Sequence, residues 1–223
     1  MDSFQTCLAF GPPAVYLLGV AAVNLRRRPT VVSGTRDLAL LALALTGLVA
    51  VGPMEIGFPQ SAAIHFFGAL NLPGSLVWIP LFTLYGLCVA LVLLTVRPRL
   101  IVYNISADQM RQLLAEAVES LDAEARWAGD SLFLPRLGVQ LHLDASRPLR
   151  NISLVAAGPN QSHLGWQKLH RRLAASAAST RVARNGWSIG FALVGLAMIV
   201  CMVCLVVQNP DATIAAMHEM FRV

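Results

Sequence analysis

Glu55 and His65 are the only ionisable residues in an otherwise uncharged stretch that runs from Glu55 to Ser75. A carboxylate and an imidazole can hold a metal ion together or relay a proton between them. A metal site would need a third ligand at a suitable spacing, and the stretch offers none, so no metal is predicted. We therefore interpret the two as side chains at the rim of the membrane helices, without a chemical role. They remain the alternative site, for a membrane enzyme that acts on a lipid or a peptide at the extracytoplasmic surface.

Cys201 and Cys204 form a CxxC pattern, which in other settings binds a metal or takes part in redox exchange. Here the next residue is Leu205 rather than His, and the pair lies in an apolar run, so packing thiols are the expectation. None of the five histidines falls in a predicted membrane span, which argues against a haem clamped between facing helices. No cofactor is predicted. The chain also lacks a nucleophile elbow, a phosphate loop and paired catalytic carboxylates, which favours a protein that is not an enzyme.

No acidic residue occurs between Ala145 and Pro210, whereas basic residues are frequent there. The basic residues just before the last apolar run are Lys168, Arg171, Arg172, Arg181 and Arg184. Each basic residue beside an anionic leaflet contributes about 1 kcal/mol to binding, so lipid headgroups are the expected partner. An acidic protein surface is the alternative. Nucleic acid is not expected, because there is no helix-turn-helix, zinc-finger or RNP-like pattern.

Gly186 and Gly190 form a GxxxG pattern at the start of the last apolar run. Small residues at this spacing let a second helix approach closely within a membrane. The two glycines are therefore the predicted packing site if the chain is a subunit of a larger membrane complex.

The elements that carry these residues are mainly apolar helices. The chain is 56% hydrophobic and 13% charged, about half the charged share of a soluble protein. Four windows contain no Asp, Glu, Lys, Arg or His, namely 8–25, 38–54, 71–96 and 185–209. A bilayer core needs roughly 20 apolar residues in a helix. We therefore predict four transmembrane helices, at about 8–25, 36–56, 76–96 and 186–207, the first of them beginning or kinking near Pro12.

The distribution of basic residues predicts the orientation of these helices. Of the 17 Lys and Arg residues, all but Arg222 lie between predicted spans one and two or between spans three and four. The positive-inside rule places both segments in the cytoplasm and both termini on the extracytoplasmic side. Because only Lys168 among the basic residues is a lysine, the composition favours a GC-rich bacterial source. The expected location is the bacterial inner membrane.

Residues 99–180 differ from the rest and predict a small α+β cytoplasmic domain inserted between spans three and four. Leu100–Ile105 is rich in β-branched residues, and Ser106 with Gln109 fits a capping box that starts a helix. Three short strands and a second helix follow, with apolar residues alternating around Gln140 and His142. The expected order is β-α-β-β-β-α, in two layers with both helices on one side of the sheet.

These elements divide the chain into 1–98 with three transmembrane helices, 99–180 with the cytoplasmic domain, and 181–223 with the fourth helix and a short tail. The functional hypothesis is a non-enzymatic membrane protein whose basic domain binds a partner or membrane lipid, as an adaptor, a sensor or an accessory subunit. Substitution of Glu55 or His65 would discriminate the enzyme alternative from it, since only an enzyme would lose its function while still inserting.

Overall fold

The computed structural model describes residues 3–56, 78–146, 150–159 and 161–221 of the chain. These residues form two compact units. The helical unit comprises Met1–Gly19, Ala39–Thr95 and Phe191–Val223, and the sheet unit comprises Val20–Leu38 and Val96–Gly190. The uncharged stretch from Glu55 to Ser75, which includes His65, lies outside the described residues except for Glu55 and Ile56.

The described chain alternates long apolar helices with short strands. In chain order the elements are α1 (Ser3–Leu25), β1 (Thr30–Ser33), α2 (Gly34–Ile56), α3 (Trp78–Thr95), β2 (Arg99–Tyr103), α4 (Ala107–Glu119), β3 (Arg126–Ala128), β4 (Ser131–Leu134), β5 (Val139–Ser146), β6 (Asn151–Ala156), α5 (His163–Ser179), α6 (Trp187–Gln208) and α7 (Pro210–Phe221).

Three described helices are long and apolar enough to cross a membrane: α1, the Gly34–Val51 part of α2, and α6. This indicates a membrane protein. The third predicted span corresponds to α3, whose apolar part, Ile79–Thr95, is shorter. Since about 20 residues span the hydrocarbon core, the described length of α3 does not by itself establish a fourth crossing.

The start of α1 differs from the sequence expectation. The start of α1 lies at Ser3, so Pro12 and Pro13 fall inside the helix rather than at its beginning. Likewise α2 continues through Gly52 and Pro53 to Ile56. Proline removes one backbone hydrogen bond, but ending a helix in an apolar environment would leave several groups unpaired. Helix continuation is therefore the less costly outcome.

The sheet unit contains a six-stranded antiparallel sheet in the order β1-β2-β6-β5-β4-β3. Strands β3 to β6 form a meander in which each strand pairs with the next, and β6 then returns beside β2. The opposite edge is β1, which pairs with β2 through Val31 opposite Val102.

The predicted order β-α-β-β-β-α was incomplete, because it missed β1 and β3 and thus two strands of this sheet. The four residues of β1 belong to the short connection between two apolar helices, where four residues are too few to show a pattern. The three residues of β3 are all exposed, so they show no apolar alternation. One apolar core joins the sheet to both α4 and α5.

That core forms on one face of the sheet. The alternating residues Ile152, Leu154 and Ala156 of β6 are buried, as are Leu169 and Leu173 of α5, and all belong to the same cluster. Ser106 accepts a hydrogen bond from the backbone of Gln109, whose side chain accepts one from the backbone of Ser106, so the predicted capping box starts α4. The sheet unit therefore has an interior like that of a soluble two-layer domain.

The chain between α4 and β4 is held by Asp122, which is 2% exposed. Its carboxylate accepts hydrogen bonds from the backbone nitrogens of Glu124, at 3.0 Å, and Arg136, at 2.9 Å. The Arg136 side chain also hydrogen-bonds to Glu124, and this contact raises the pKa of Arg136. Asp122 thus pairs two backbone donors that would otherwise be unsatisfied.

The helical unit packs through small residues. Gly47 of α2 lies against the Leu8 carbonyl of α1, where a Cβ would collide with that oxygen. Gly195 of α6 approaches α1 so closely that a Cβ would stand 3.1 Å from the Ala14 carbonyl oxygen. The hydroxyl of Tyr85 in α3 donates to the Ala42 carbonyl of α2. These contacts are of the kind that joins helices in membranes.

Candidate anion-binding pocket

Three consecutive arginines, Arg26, Arg27 and Arg28, connect α1 to β1, and all three are exposed. Their backbone is held from two sides. The side-chain nitrogen Nδ2 of Asn104 donates to the Arg26 carbonyl at 2.6 Å, and the Val182 backbone nitrogen donates to the Arg27 carbonyl at 2.9 Å. This arginine loop is therefore fixed between the end of β2 and the segment that follows α5.

Asn104 is suited to this contact by its backbone conformation. Its φ is +59°, a left-handed value that asparagine tolerates better than most residues. The residue is fully buried, and its Oδ1 has no hydrogen-bond partner within the described chain. Asn104 therefore holds the arginine loop through its amide nitrogen and leaves one buried acceptor unused.

A second buried polar contact lies next to the loop. The backbone nitrogen of Asn185 is 3.5 Å from the Asn24 carbonyl oxygen, and both side chains are buried. The Asn185 Oδ1 accepts from the Trp187 backbone nitrogen at 3.2 Å, and this contact caps the start of α6. The chain before α6 is thereby attached to the end of α1.

The helix α5 is positioned by contacts at its own start. Gln161 donates from Nε2 to the Gln140 carbonyl at 3.0 Å, and its Oε1 accepts from the Trp166 indole at 3.0 Å. Gly165 lies so close to the Leu137 carbonyl that any larger side chain would collide with it. These contacts fix α5 on the sheet, so that its later turns pack against β1.

A cavity of about 520 Å³ lies between the arginine loop and α5. It is lined by Arg26, Arg27, Arg28, Pro29, Thr30, Val31, Ala174 and Ala178. The two alanines are four residues apart on one face of the helix, and their short side chains leave the space open. The volume lies within the range of about 300–1,000 Å³ that is typical of small-molecule sites.

The lining is strongly cationic. Three of its lining residues are arginines, and none is acidic. Arginine stays protonated at any physiological pH, and its planar fork binds phosphate or carboxylate through paired hydrogen bonds. The chemistry of this pocket therefore favours an anion, and the charge excludes a cation.

None of the five predicted basic residues belongs to the lining of this pocket. Lys168, Arg171 and Arg172 are exposed on α5, and Arg181 and Arg184 are exposed between α5 and α6. Arg171 precedes Ala174 by three residues and so lies on the same helix face. Arg172 instead donates from Nε to the Ser120 hydroxyl at 3.0 Å, and thus contacts the end of α4.

In the sequence, Arg26, Arg27 and Arg28 helped to predict the orientation of the helices, but they were not recognised as a candidate binding site. Three adjacent arginines were visible, but nothing in the sequence showed that α5 would pack beside them. The two alanines carried no signal either, because alanine is frequent throughout the chain.

The other predicted positions contribute little in the described residues. Gly186 and Gly190 have open space around them, since, apart from their chain neighbours and the local helix backbone, no described atom lies within 4 Å of the place that a Cβ would take. Glu55 lies in the last turn of α2, and its predicted partner His65 lies outside the described residues. Cys201 and Cys204 are both exposed on α6.

Ser131 and His142 form a pair that the sequence did not predict. They lie opposite each other on β4 and β5, with Ser131 Oγ 3.1 Å from His142 Nδ1. A serine nucleophile needs a base that a third group orients and donors for the developing oxyanion. Among the described residues no carboxylate hydrogen-bonds to His142, and the pair is exposed. We therefore interpret it as a cross-strand contact.

Neither family models, curated proteins nor solved structures give a match to this chain. Within the described residues no group of three or more His, Cys, Asp or Glu side chains is placed to hold a metal ion. The cationic pocket and its surroundings are thus the strongest functional feature of the described chain.

Proposed function

We propose that this chain is a non-enzymatic integral membrane protein of the bacterial inner membrane that presents a basic α+β domain to the cytoplasmic leaflet. The domain binds anionic lipid headgroups, and through the same surface it serves as an adaptor, a sensor or an accessory subunit. The observation that carries the proposal is the concentration of exposed arginines directly after α1 and directly before α6.

The orientation follows from those arginines. Arg26, Arg27 and Arg28 follow α1 directly, while Arg181 and Arg184 precede α6. Basic residues next to membrane helices remain on the cytoplasmic side. With α3 as a fourth crossing, both termini lie on the extracytoplasmic side. The sheet unit then faces the cytoplasm.

Lipid is favoured over an acidic protein because of where the charges lie. No acidic residue lies between Ala145 and Pro210, and this part of the sequence carries the exposed basic residues that are closest to α6. At about 1 kcal/mol for each residue near an anionic leaflet, several of them together give a substantial attraction. A protein partner would use the same surface, and in a complex Gly186 and Gly190 would be free to receive its helix.

The test measures the lipids that copurify with the full-length protein from its own membranes in mild detergent. Quantitative mass spectrometry should show anionic phospholipid enriched over its share in the bulk membrane. Combined R171Q, R181Q and R184Q substitutions should lower that enrichment several-fold. The matched control is R111Q, R126Q and R136Q, which removes three exposed arginines from α4, β3 and the β4–β5 turn. The ion pairs of Arg111 with Asp130 and of Arg136 with Glu124 are solvent-exposed, so their loss costs little stability.

Equal enrichment in the two triple variants would contradict the lipid proposal. A stoichiometric acidic protein that copurifies and is lost only in the first variant would identify a protein as the partner instead. Arg172 is left unchanged because its contact with Ser120 gives it a structural role.

A further inference from the structure

We propose that the cavity between the arginine loop and α5 is a specific site for one phosphate-bearing molecule of headgroup size. This deepens the proposed lipid-binding function, on which it rests for the source of the ligand. A diffuse basic surface attracts any anionic leaflet, whereas this cavity selects one molecule by shape and charge.

The backbone of the cavity is arranged before any ligand binds. Arg26 and Arg27 have their backbone carbonyls fixed by Asn104 and Val182. The next residue after the three arginines, Pro29, is buried, and Thr30 already pairs with Tyr103 in the sheet. Only the side chains of the arginines are left to adjust, so little backbone entropy is lost when an anion binds.

Small residues of α5 form the opposite wall. Ala174 and Ala178 line the cavity, while the buried face of the same helix carries Trp166, Leu169 and Leu173. Ala174 and Ala178 each follow a core residue, Leu173 and Ala177, by one position, so they lie on a neighbouring face of the helix, where larger residues would fill the cavity. Substitutions at these two alanines can therefore test whether the cavity is needed for binding.

The three lining arginines match a phosphate better than a carboxylate. Phosphate presents several oxygens to the paired donors of guanidinium groups, and three such groups exceed what one carboxylate can engage. A zwitterionic headgroup carries a quaternary ammonium beside its phosphate, and repulsion between that ammonium and the arginines would weaken its binding. The apolar lining atoms of Pro29, Val31 and the two alanines would contact the glycerol portion of the ligand.

The experiment uses the full chain in a neutral detergent and counts bound molecules by native mass spectrometry. Three probes are compared: dioctanoyl phosphatidylglycerol, sn-glycerol 3-phosphate and dioctanoyl phosphatidylcholine. Unmodified protein should bind one molecule of a probe that carries net negative charge in a saturable manner. Phosphatidylcholine should bind at least tenfold more weakly.

The decisive variant is A174L with A178L, which fills the cavity and keeps every arginine. It should weaken binding at least tenfold. The matched control is A115L with A175L, which adds the same bulk at two exposed helical alanines outside the cavity and should bind as the unmodified protein does. A second variant, R27Q with R28Q, should lose binding by a comparable factor while the cavity stays open. Unfolding midpoints of all variants establish that the fold is retained.

The outcomes separate the cavity from the general surface. If the filled-cavity variant binds as the unmodified protein does, the pocket proposal is overturned, although lipid enrichment through Arg171, Arg181 and Arg184 would still stand. Saturable binding of phosphatidylglycerol alone supports a lipid headgroup as the ligand. Saturable binding of glycerol 3-phosphate with the same sensitivity supports the pocket but assigns it a soluble phosphate, which would count against the lipid function.

Discussion

The two units bury opposite kinds of residue. In the sheet unit large apolar side chains are inside, among them Leu154 and Leu169, both fully buried. In the helical unit the buried residues are mostly small, such as Ala9 and Ala14, while Leu193 of α6 is 62% exposed. A single chain thus contains one region with an apolar interior and another with an apolar exterior.

This difference identifies the solvent of each unit. Water drives large apolar side chains into a core, whereas lipid tails are as apolar as leucine and give no such drive. In lipid, helices associate instead by close backbone approach, which requires small residues like Gly47 and Gly195. The inverted burial is thus evidence for a membrane that is independent of helix length.

The largest expected effect tests the interior of the sheet unit. Leu154→Ala should lower the free energy of unfolding by about 3 kcal/mol, because it removes a fully buried side chain and leaves a cavity. Leu193→Ala makes the same truncation on the exposed surface of α6 and should cost less than about 1 kcal/mol. Chemical denaturation in detergent, followed by circular dichroism, measures both. Equal losses would remove the contrast between the units.

The next largest expected effect tests the apolar exterior of the helical unit. Leu196→Lys, at a 53% exposed position of α6, should disfavour membrane insertion of that helix by about 3 kcal/mol. Phe133→Lys, at a 45% exposed position of β4, should leave insertion unchanged, since its surroundings are aqueous. A glycosylation reporter fused after α6 in a microsomal insertion assay reads both. Full insertion of the α6 variant would argue against a lipid environment there.

A smaller effect is expected at the close contact of α1 with α2. Gly47→Val should destabilise the helical unit by about 2 kcal/mol, because the new side chain would meet the Leu8 carbonyl. Gly86→Val is the matched control, since Gly86 lies in α3 with open space around it. A lowered thermal midpoint for both variants alike would mean that close approach is not the cause.

The smallest expected effect on stability comes from removing one tyrosine hydroxyl in each unit. Tyr103→Phe removes the hydrogen bond to the Asp37 carboxylate and should cost about 1.5 kcal/mol, as bonds to charged groups do. Tyr85→Phe removes the bond to the Ala42 carbonyl and should cost about 0.6 kcal/mol, the average measured between membrane helices. Unfolding midpoints in detergent rank the two, and the reverse order would contradict the assignment of environments.

Periodic patterns explain which parts of the fold were predictable. The helix α4 was predicted because Ser106, Gln109 and the apolar residues Met110, Leu113 and Leu114 each carry a local signal. Strand β5 was predicted because its apolar residues alternate around Gln140 and His142. Both patterns arise from contacts that a short segment makes with one flat core, so the segment alone displays them.

The features that were missed depend on distant partners. The strand β1 exists because Val31 and Val32 meet β2, about 70 residues later in the chain. Gly195 makes a close contact with α1 that its position in the sequence did not indicate. The pocket needs Arg27 and Ala174 together, and their proximity depends on the whole sheet unit. Residue spacing reports local periodicity, but it carries no information on such pairings.

The position of β1 has a consequence for how the sheet unit can be assembled or excised. A fragment cut at 99–180 would contain every strand except β1 and would expose the edge of β2, with its unpaired backbone groups and the side chains of Ile101 and Tyr103. Such an uncovered edge invites pairing with another copy. During synthesis β1 must wait until α2 and α3 have been made before its neighbour β2 emerges, so the sheet cannot be completed before both helices have been synthesised.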